Sequence, residues 1–208
     1  MDVYYNNLDD LLNSSLSRTL CRTGCYYING DNGTITIPSN VSKINNYVFS
    51  HCKNNIEIGN NVITEIGHHA FINGKLNDVI NLPFVLSLGQ HSFYASSIKT
   101  FTAPLLTTIP SYCFYNSSLE SVYLPKVQTL STNAMYGCKL KELVLPSIKT
   151  LETNSLVMES LNKIICGPNT TTIGDFSSIS TDTSLSNLIS KHKHLVCLNT
   201  TPPTMSGT

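Results

Sequence analysis

The chain has 208 residues, and its thirteen basic and thirteen acidic side chains leave a formal net charge of zero. That balance removes the electrostatic case for nucleic acid or an anionic membrane surface as a partner. Charged residues are only 12% of the chain and Asn, Ser and Thr about a third, against a usual charged share of roughly 25%, so the surface is built from neutral hydroxyls and amides. Such a surface suits hydrogen bonding to sugars or polar protein faces, although an AT-rich genome produces the same bias without structural cause.

Residues 1–33 read as an amino-terminal cap. Met1-Asp2-Val3-Tyr4-Tyr5-Asn6 has neither the basic segment nor the apolar core of a secretory leader, and no later run approaches the ~20 apolar residues that span a bilayer. Leu8, Leu11, Leu12 and Leu16 recur at helical spacing, which predicts a short amphipathic helix over residues 9–20, capped by Asp9 or Asp10, that covers the amino-terminal end of the repeats beginning at residue 34. Tyr26 to Ile35, with Asn-Gly inside it, predicts two strands about a tight turn.

Residues 34–176 are repetitive. Ile44, Ile66, Leu88, Ile109, Leu130, Leu151 and Ile173 form one column, spaced 22, 22, 21, 21, 21 and 22. Five residues later Phe49, Phe71, Phe93, Phe114, Met135 and Leu156 form a second, and immediately before those stand the compact residues Val48, Ala70, Ser92, Cys113, Ala134 and Ser155. A fourth column is proline: Pro38, Pro83, Pro104, Pro125, Pro146 and, slightly displaced, Pro168. A period of this length belongs to a solenoid in which each unit is one short strand plus a return segment, and only stacking buries its apolar side. The central copy, Leu119 to Cys138, shows the design. In its strand, Leu119 to Leu124, and in the equivalents Ile98 to Ala103, Leu140 to Leu145 and Leu161 to Cys166, the first, fourth and sixth residues point inward and the others outward. Proline then lacks a backbone donor and stops each strand. The expected fold is a single right-handed solenoid of about seven rungs with a parallel sheet of short strands, mostly β and irregular, with few helices.

Ile66-Gly67-His68-His69-Ala70-Phe71, Leu88-Gly89, and the cysteines Cys52 and Cys138 placed three residues after Phe49 and Met135 resemble the BspA-like family of leucine-rich repeats over roughly residues 34 to 176. The resemblance implies a non-enzymatic surface protein engaged in adhesion or recognition, of the kind known from gut and oral bacteria, some protists and phages.

After Ile173 the large residue of the second column is replaced by Ser178, so the repeats are expected to end there and residues 177–208 to form a carboxyl-terminal cap. Ser177 to Ser184 reads as a polar connection, Leu185 to His194 as a short helix and Leu195 to Leu198 as a final strand. Asn199-Thr200-Thr201-Pro202-Pro203-Thr204 is similar to the segment that in family members leads into a further strand and helix; here the chain is a fragment or another chain covers this end.

The reactive residues resolve into structure. Of seven cysteines, Cys52, Cys113, Cys138 and Cys166 fall on inward columns and read as buried free thiols, while Cys21 and Cys25 could be bridged or buried. His69 and His91 share a column with Tyr47, Tyr112, Asn133 and Asn154; adjacent rungs put the two imidazoles about 5 Å apart, but without a third ligand this is a stacked polar ladder and not a metal site. His192 and His194 look like a solvated turn. No Gly-x-Ser-x-Gly elbow, phosphate-binding glycine motif or converging carboxylate pair is present, Glu120, Glu142 and Glu152 lying on separate columns or faces. No cofactor is called for, and the chain reads as a non-enzyme.

One outward column remains: Thr36, Glu57, Asn81, Thr102, Tyr123, Val144 and Ile165, which changes from polar to apolar along the chain. Tyr123, Val144 and Ile165 on adjacent rungs, flanked by Glu120, Lys141, Glu142 and Lys163, are the candidate contact surface for a protein or glycan partner, for self-association or for a larger assembly. The function expected is a binding or adhesion module at the cell surface; the alternative is a structural or receptor-binding component of a phage virion.

Overall fold

A computed structural model describes residues 19–20, 34–37, 39, 41–52, 54–59, 62–168, 170, 172–173, 194–197 and 204–205. The strands in chain order are β1 (Thr19–Leu20), β2 (Thr34–Ile37), β3 (Lys43–Ile44), β4 (Asn55–Ile58), β5 (Glu65–Ile66), β6 (Lys75–Leu76), β7 (Val79–Asn81), β8 (Ser87–Leu88) and β9 (Thr100–Thr102). They continue as β10 (Thr108–Ile109), β11 (Ser121–Tyr123), β12 (Thr129–Leu130), β13 (Glu142–Leu145), β14 (Thr150–Leu151), β15 (Lys163–Cys166), β16 (Thr172–Ile173), β17 (His194–Cys197) and β18 (Thr204–Met205). All pairings among them are parallel, and no helix occurs among the described residues. Parallel neighbours one period apart are what a solenoid requires, since each strand pairs only with the next copy of itself.

Two ladders run the length of the molecule. One holds the longer strands, in three sections ordered β2-β4-β6, β7-β9-β11 and β13-β15-β17. The other holds the two-residue strands, in sections β1-β3-β5-β8 and β10-β12-β14-β16-β18. The first large column supplies the second ladder's inward residues, Ile44, Ile66, Ile109, Leu130 and Leu151 being buried and Leu88 half-buried. Opposite them, the return segments bring in Phe49, Phe71, Phe93, Phe114, Met135 and Leu156, all buried. The four phenylalanines stack at centroid spacings of 5.4, 5.3 and 5.3 Å, and Phe101 closes edge-on against Phe93 and Phe114. Six regular turns thus carry the complete column, within one continuous core that runs from Ile35 to Cys166.

The first five return segments reverse direction with two left-handed residues four apart, and the sixth has one, at Asn154. Tyr47, His69, His91, Tyr112, Asn133 and Asn154 have φ of 62, 56, 58, 58, 56 and 55°, and His51, Asn73, Ala95, Asn116 and Gly137 have φ of 57, 53, 50, 54 and 70°. Asn and Gly tolerate this region best, so the frequency of Asn in these columns has a backbone cause.

The regularity fails in instructive places. The third long strand is split: β6 pairs backward with β4 (Lys75↔Asn55, Leu76↔Ile56), while β7 pairs forward with β9 (Val79↔Thr100). Asn77 and Asp78 lie between, Asn77 Oδ1 accepting from Asn55 Nδ2 at 2.8 Å and Asp78 Oδ2 from Lys99 Nζ at 2.7 Å. Ser97 replaces the missing strand partner beside β6, its Oγ accepting from Leu76 N at 2.8 Å and donating to Leu76 O at 3.0 Å. The expected outward column is therefore not continuous. Glu57 is in register with Thr36, and Asn81 with Thr102, but a shift of register separates Glu57 from Asn81.

Strand pairing continues beyond Ile173, where the final strand expected at Leu195 to Leu198 is found as β17 (His194–Cys197). β17 continues the long-strand ladder (Ile165↔Val196) and β18 the short-strand ladder (Ile173↔Met205), but across 31 and 32 residues, which a search for differences of 21 or 22 passes over. Thr19 and Leu20, expected at the end of a helix, instead form β1 against β3. The rest of that helix, the turn at Asn-Gly, the Leu185–His194 helix apart from His194, and Cys21 and Cys25 lie outside the described residues.

Candidate partner-binding surfaces

The strand face alternates as its sequence demands. Leu119, Leu124, Leu140, Leu143, Leu145, Leu161, Ile164 and Cys166 are buried and Val122 half-buried, while Glu120, Ser121, Lys141 and Glu142 face solvent. On this face Tyr123 is 59% exposed and Val144 51% exposed, and Ile165 is half-buried. Val144 and Ile165 are register partners, as are Glu142 and Lys163, whose side chains pair at 3.5 Å. Val196 occupies the next register position after Ile165. Tyr123 belongs to a different section, because β11 and β13 share no hydrogen-bonded register; the predicted strip straddles a break in the sheet. Upstream, Lys99 is held above its ordinary pKa, chiefly by its hydrogen bond to Asp78, then by the charges of Asp78 and Glu120.

The return face carries a feature that the sequence only half announced. Tyr47, His69, His91 and Tyr112 stack face to face at 4.8, 4.5 and 4.8 Å. Beside them runs a second stack, Tyr94, Tyr115 and Tyr136, at 5.1 and 4.7 Å, and tilted contacts of His91 with Tyr94 and of Tyr112 with Tyr115 join the two. The second stack was legible as differences of 21 and 21, but tyrosines that follow a phenylalanine column are easily read as incidental. Neighbouring phenols and burial push the Tyr115 pKa up, burial being the larger cause. A third group, Val62, Phe84 and Leu86, lies exposed on the turns that follow the long strands.

The chemistry of the reactive side chains is muted. Cys52, Cys113, Cys138 and Cys166 are buried free thiols, and burial pushes Cys113 and Cys138 up to about 12 despite their hydrogen bonds with Ser92 and Ser117. Neither is a thiolate near neutrality, so neither is a nucleophile there. Glu152 Oε2 is engaged by Thr132 N at 2.9 Å and Thr132 Oγ1 at 3.2 Å, which makes it a turn brace. Among the described residues no three His, Cys, Asp or Glu side chains gather closely enough to hold a metal ion, and no helix is long and apolar enough to cross a membrane.

A parallel solenoid whose period of 21 to 22 residues carries a longer strand, a two-residue strand and a return with one large buried apolar residue defines a leucine-rich-repeat protein. The sequence matches the BspA type leucine rich repeat region in six copies, over residues 21–127 and 86–195, and the chain belongs to that family. Among solved structures it is similar to a leucine rich cell surface protein from Faecalibacterium prausnitzii, with 21% identity and a TM-score of 0.48, over 69% of this chain and 49% of that one. The chain thus spans about half the length of that protein. No curated protein sequence matches it.

Proposed function

We propose that this chain is a non-enzymatic binding or adhesion module that presents its strand face to a protein or glycan partner at a cell surface. The contact centres on Tyr123, Val144 and Ile165, with Glu120, Lys141, Glu142 and Lys163 around it. The observation that carries the reading is the exposure of Tyr123 and Val144, 59% and 51%, on a face where water favours the polar residues found at Thr36, Glu57, Asn81 and Thr102. An aromatic ring beside branched aliphatics, rimmed by charges of both signs, is the composition of an interface centre with an orienting edge. Surface display follows the family resemblance. No feature of the described residues favours the virion alternative.

The test is the triple substitution Tyr123→Ser, Val144→Ser, Ile165→Ser in the full chain. Thermal unfolding should change little, because Tyr123 and Val144 contribute little to the core. Adhesion to arrays of immobilised glycans and extracellular proteins, or self-association in sedimentation, should fall at least tenfold. A folded triple variant that still binds as the parent does would move the site off the strand face.

A further inference from the structure

The His69–His91 pair on the return face is built unlike His51 and His68. Its rings lie 4.5 Å apart and within 7° of parallel, with Tyr47 on one outer face at 4.8 Å and Tyr112 on the other at 4.8 Å. The Nδ1 atoms of both are buried, and among the described residues neither has a hydrogen-bond partner. His68 and His51 are different: His68 Nδ1 accepts from Gln90 N at 3.1 Å, and His51 pairs with Ser50 Oγ at 2.8 Å and with Asn73 Nδ2 at 3.0 Å. The groups around the pair are Tyr47, Tyr112, Tyr94 against His91, and His68. No described carboxylate pairs with either ring.

In the neutral tautomer with its proton on Nε2, each buried Nδ1 is a lone pair without a donor. Protonation converts it into an N–H without an acceptor, carrying charge into a ring stack whose neighbour is a second imidazole. A buried unsatisfied donor and a like charge in van der Waals contact are both costly. The tyrosine faces offset part of this by cation–π attraction, but each tyrosine serves only one ring.

We propose that the His69–His91 stack is an acid-sensitive joint, so that acidification loosens the packing of the second and third turns against their neighbours and leaves the later turns, where Asn133 and Asn154 occupy the column, closed. The surface presented by the module would then depend on pH through its amino-terminal half. Burial, then the neighbouring histidine charges, hold both imidazoles below 6.5. The unfolded chain therefore takes up protons that the folded chain refuses. Stability is complete above pH 6.5 and is lost as pH falls below it.

The column itself supplies the control. His69→Asn with His91→Asn uses the residue that stands at positions 133 and 154 with the same left-handed φ. Hydrogen exchange, corrected for its intrinsic pH dependence, should show protection over residues 65–97 falling between pH 7.5 and 5.0 in the parent while residues 129–156 hold. That contrast should vanish in the double variant. Independently, the Hε1 resonances of His69 and His91 in the parent should titrate below the other histidines. An equal acid response in the double variant, or ordinary titration of both resonances, overturns the proposal, and the resonance titration decides even if the double variant fails to fold.

Discussion

The two sections of the short-strand ladder obey one design with different residues. Before Pro110 the residue that follows β5 and β8 is a glycine, and Gly67 N and Gly89 N donate to Ile44 O and Ile66 O, each at 2.7 Å. Glycine is needed there because a Cβ on Gly67 would meet the backbone nitrogen of Asn46 at 2.5 Å. After Pro110 the same position holds Ser131 and Glu152, whose N–H groups donate to Ile109 O and Leu130 O, each at 2.9 Å. Pro110 stands where the donor to Leu88 O belongs, and it has no N–H to give. That is the point at which β8 and β10 fail to pair. Yet Phe93 and Phe114 stack across the same joint at 5.3 Å, and His91 and Tyr112 at 4.8 Å. The return segments also keep their backbone bonds there, Phe93 N donating to Cys113 O at 2.9 Å and Ala95 N to Tyr115 O at 2.8 Å, and β7 pairs with β9, so the cut is confined to the short-strand ladder and the other supports carry the turn.

The largest test of those supports is Phe93→Ala. Phe93 touches Phe71 and Phe114 face to face and Phe101 edge-on, and it bridges the joint at which the short-strand ladder is interrupted. Truncation should cost about 3–5 kcal/mol by cavity formation, read as a lower denaturant midpoint. Leu156→Ala, in the later section where the β14–β16 pairing is intact, should cost less. An unchanged midpoint in Phe93→Ala would remove the column from the account of stability.

A smaller effect separates the two halves of the left-handed column. Ala95 adopts φ 50° between Asn73 at 53° and Asn116 at 54°. A β-carbon in that region costs roughly 1–2 kcal/mol, and Asn recovers part of it. Ala95→Asn should therefore raise stability, by about 0.5–1 kcal/mol, and thermal melting checks the sign. A lower melting temperature would mean that packing around Ala95, and not backbone strain, governs the position.

The fold was legible because its core is periodic: four columns of like residues state the turn, the inward positions and the strand ends. What escaped was whatever departs from the period. The strand around Val196 is legible, but its register with Ile165 across 31 residues and that of Met205 with Ile173 across 32 are not, and the split at Asn77 and Asp78 shifts register within one strand. The strip at Tyr123, Val144 and Ile165 rests on alternation alone, which gives direction but not the break between β11 and β13. The unsatisfied Nδ1 atoms of His69 and His91 depend on ring orientation, which no column of letters encodes.

The finest test restores what Pro110 removes. Pro110→Ser places at the joint the residue that follows β12 at position 131, with an N–H in line for Leu88 O. One net hydrogen bond contributes about 0.5–1.5 kcal/mol, and loss of the proline ring returns about 0.4–1 kcal/mol of freedom to the unfolded chain. The two nearly cancel, so stability is the wrong measurement and exchange of the new amide is the right one. If the missing donor is what divides the ladder, the amide introduced at position 110 exchanges as slowly as those of Ser131 and Glu152, and β8 and β10 become one section with their neighbours. If it exchanges as fast as a solvated amide, β8 and β10 are held apart by the side-chain columns themselves, and the proline follows from that spacing and does not cause it.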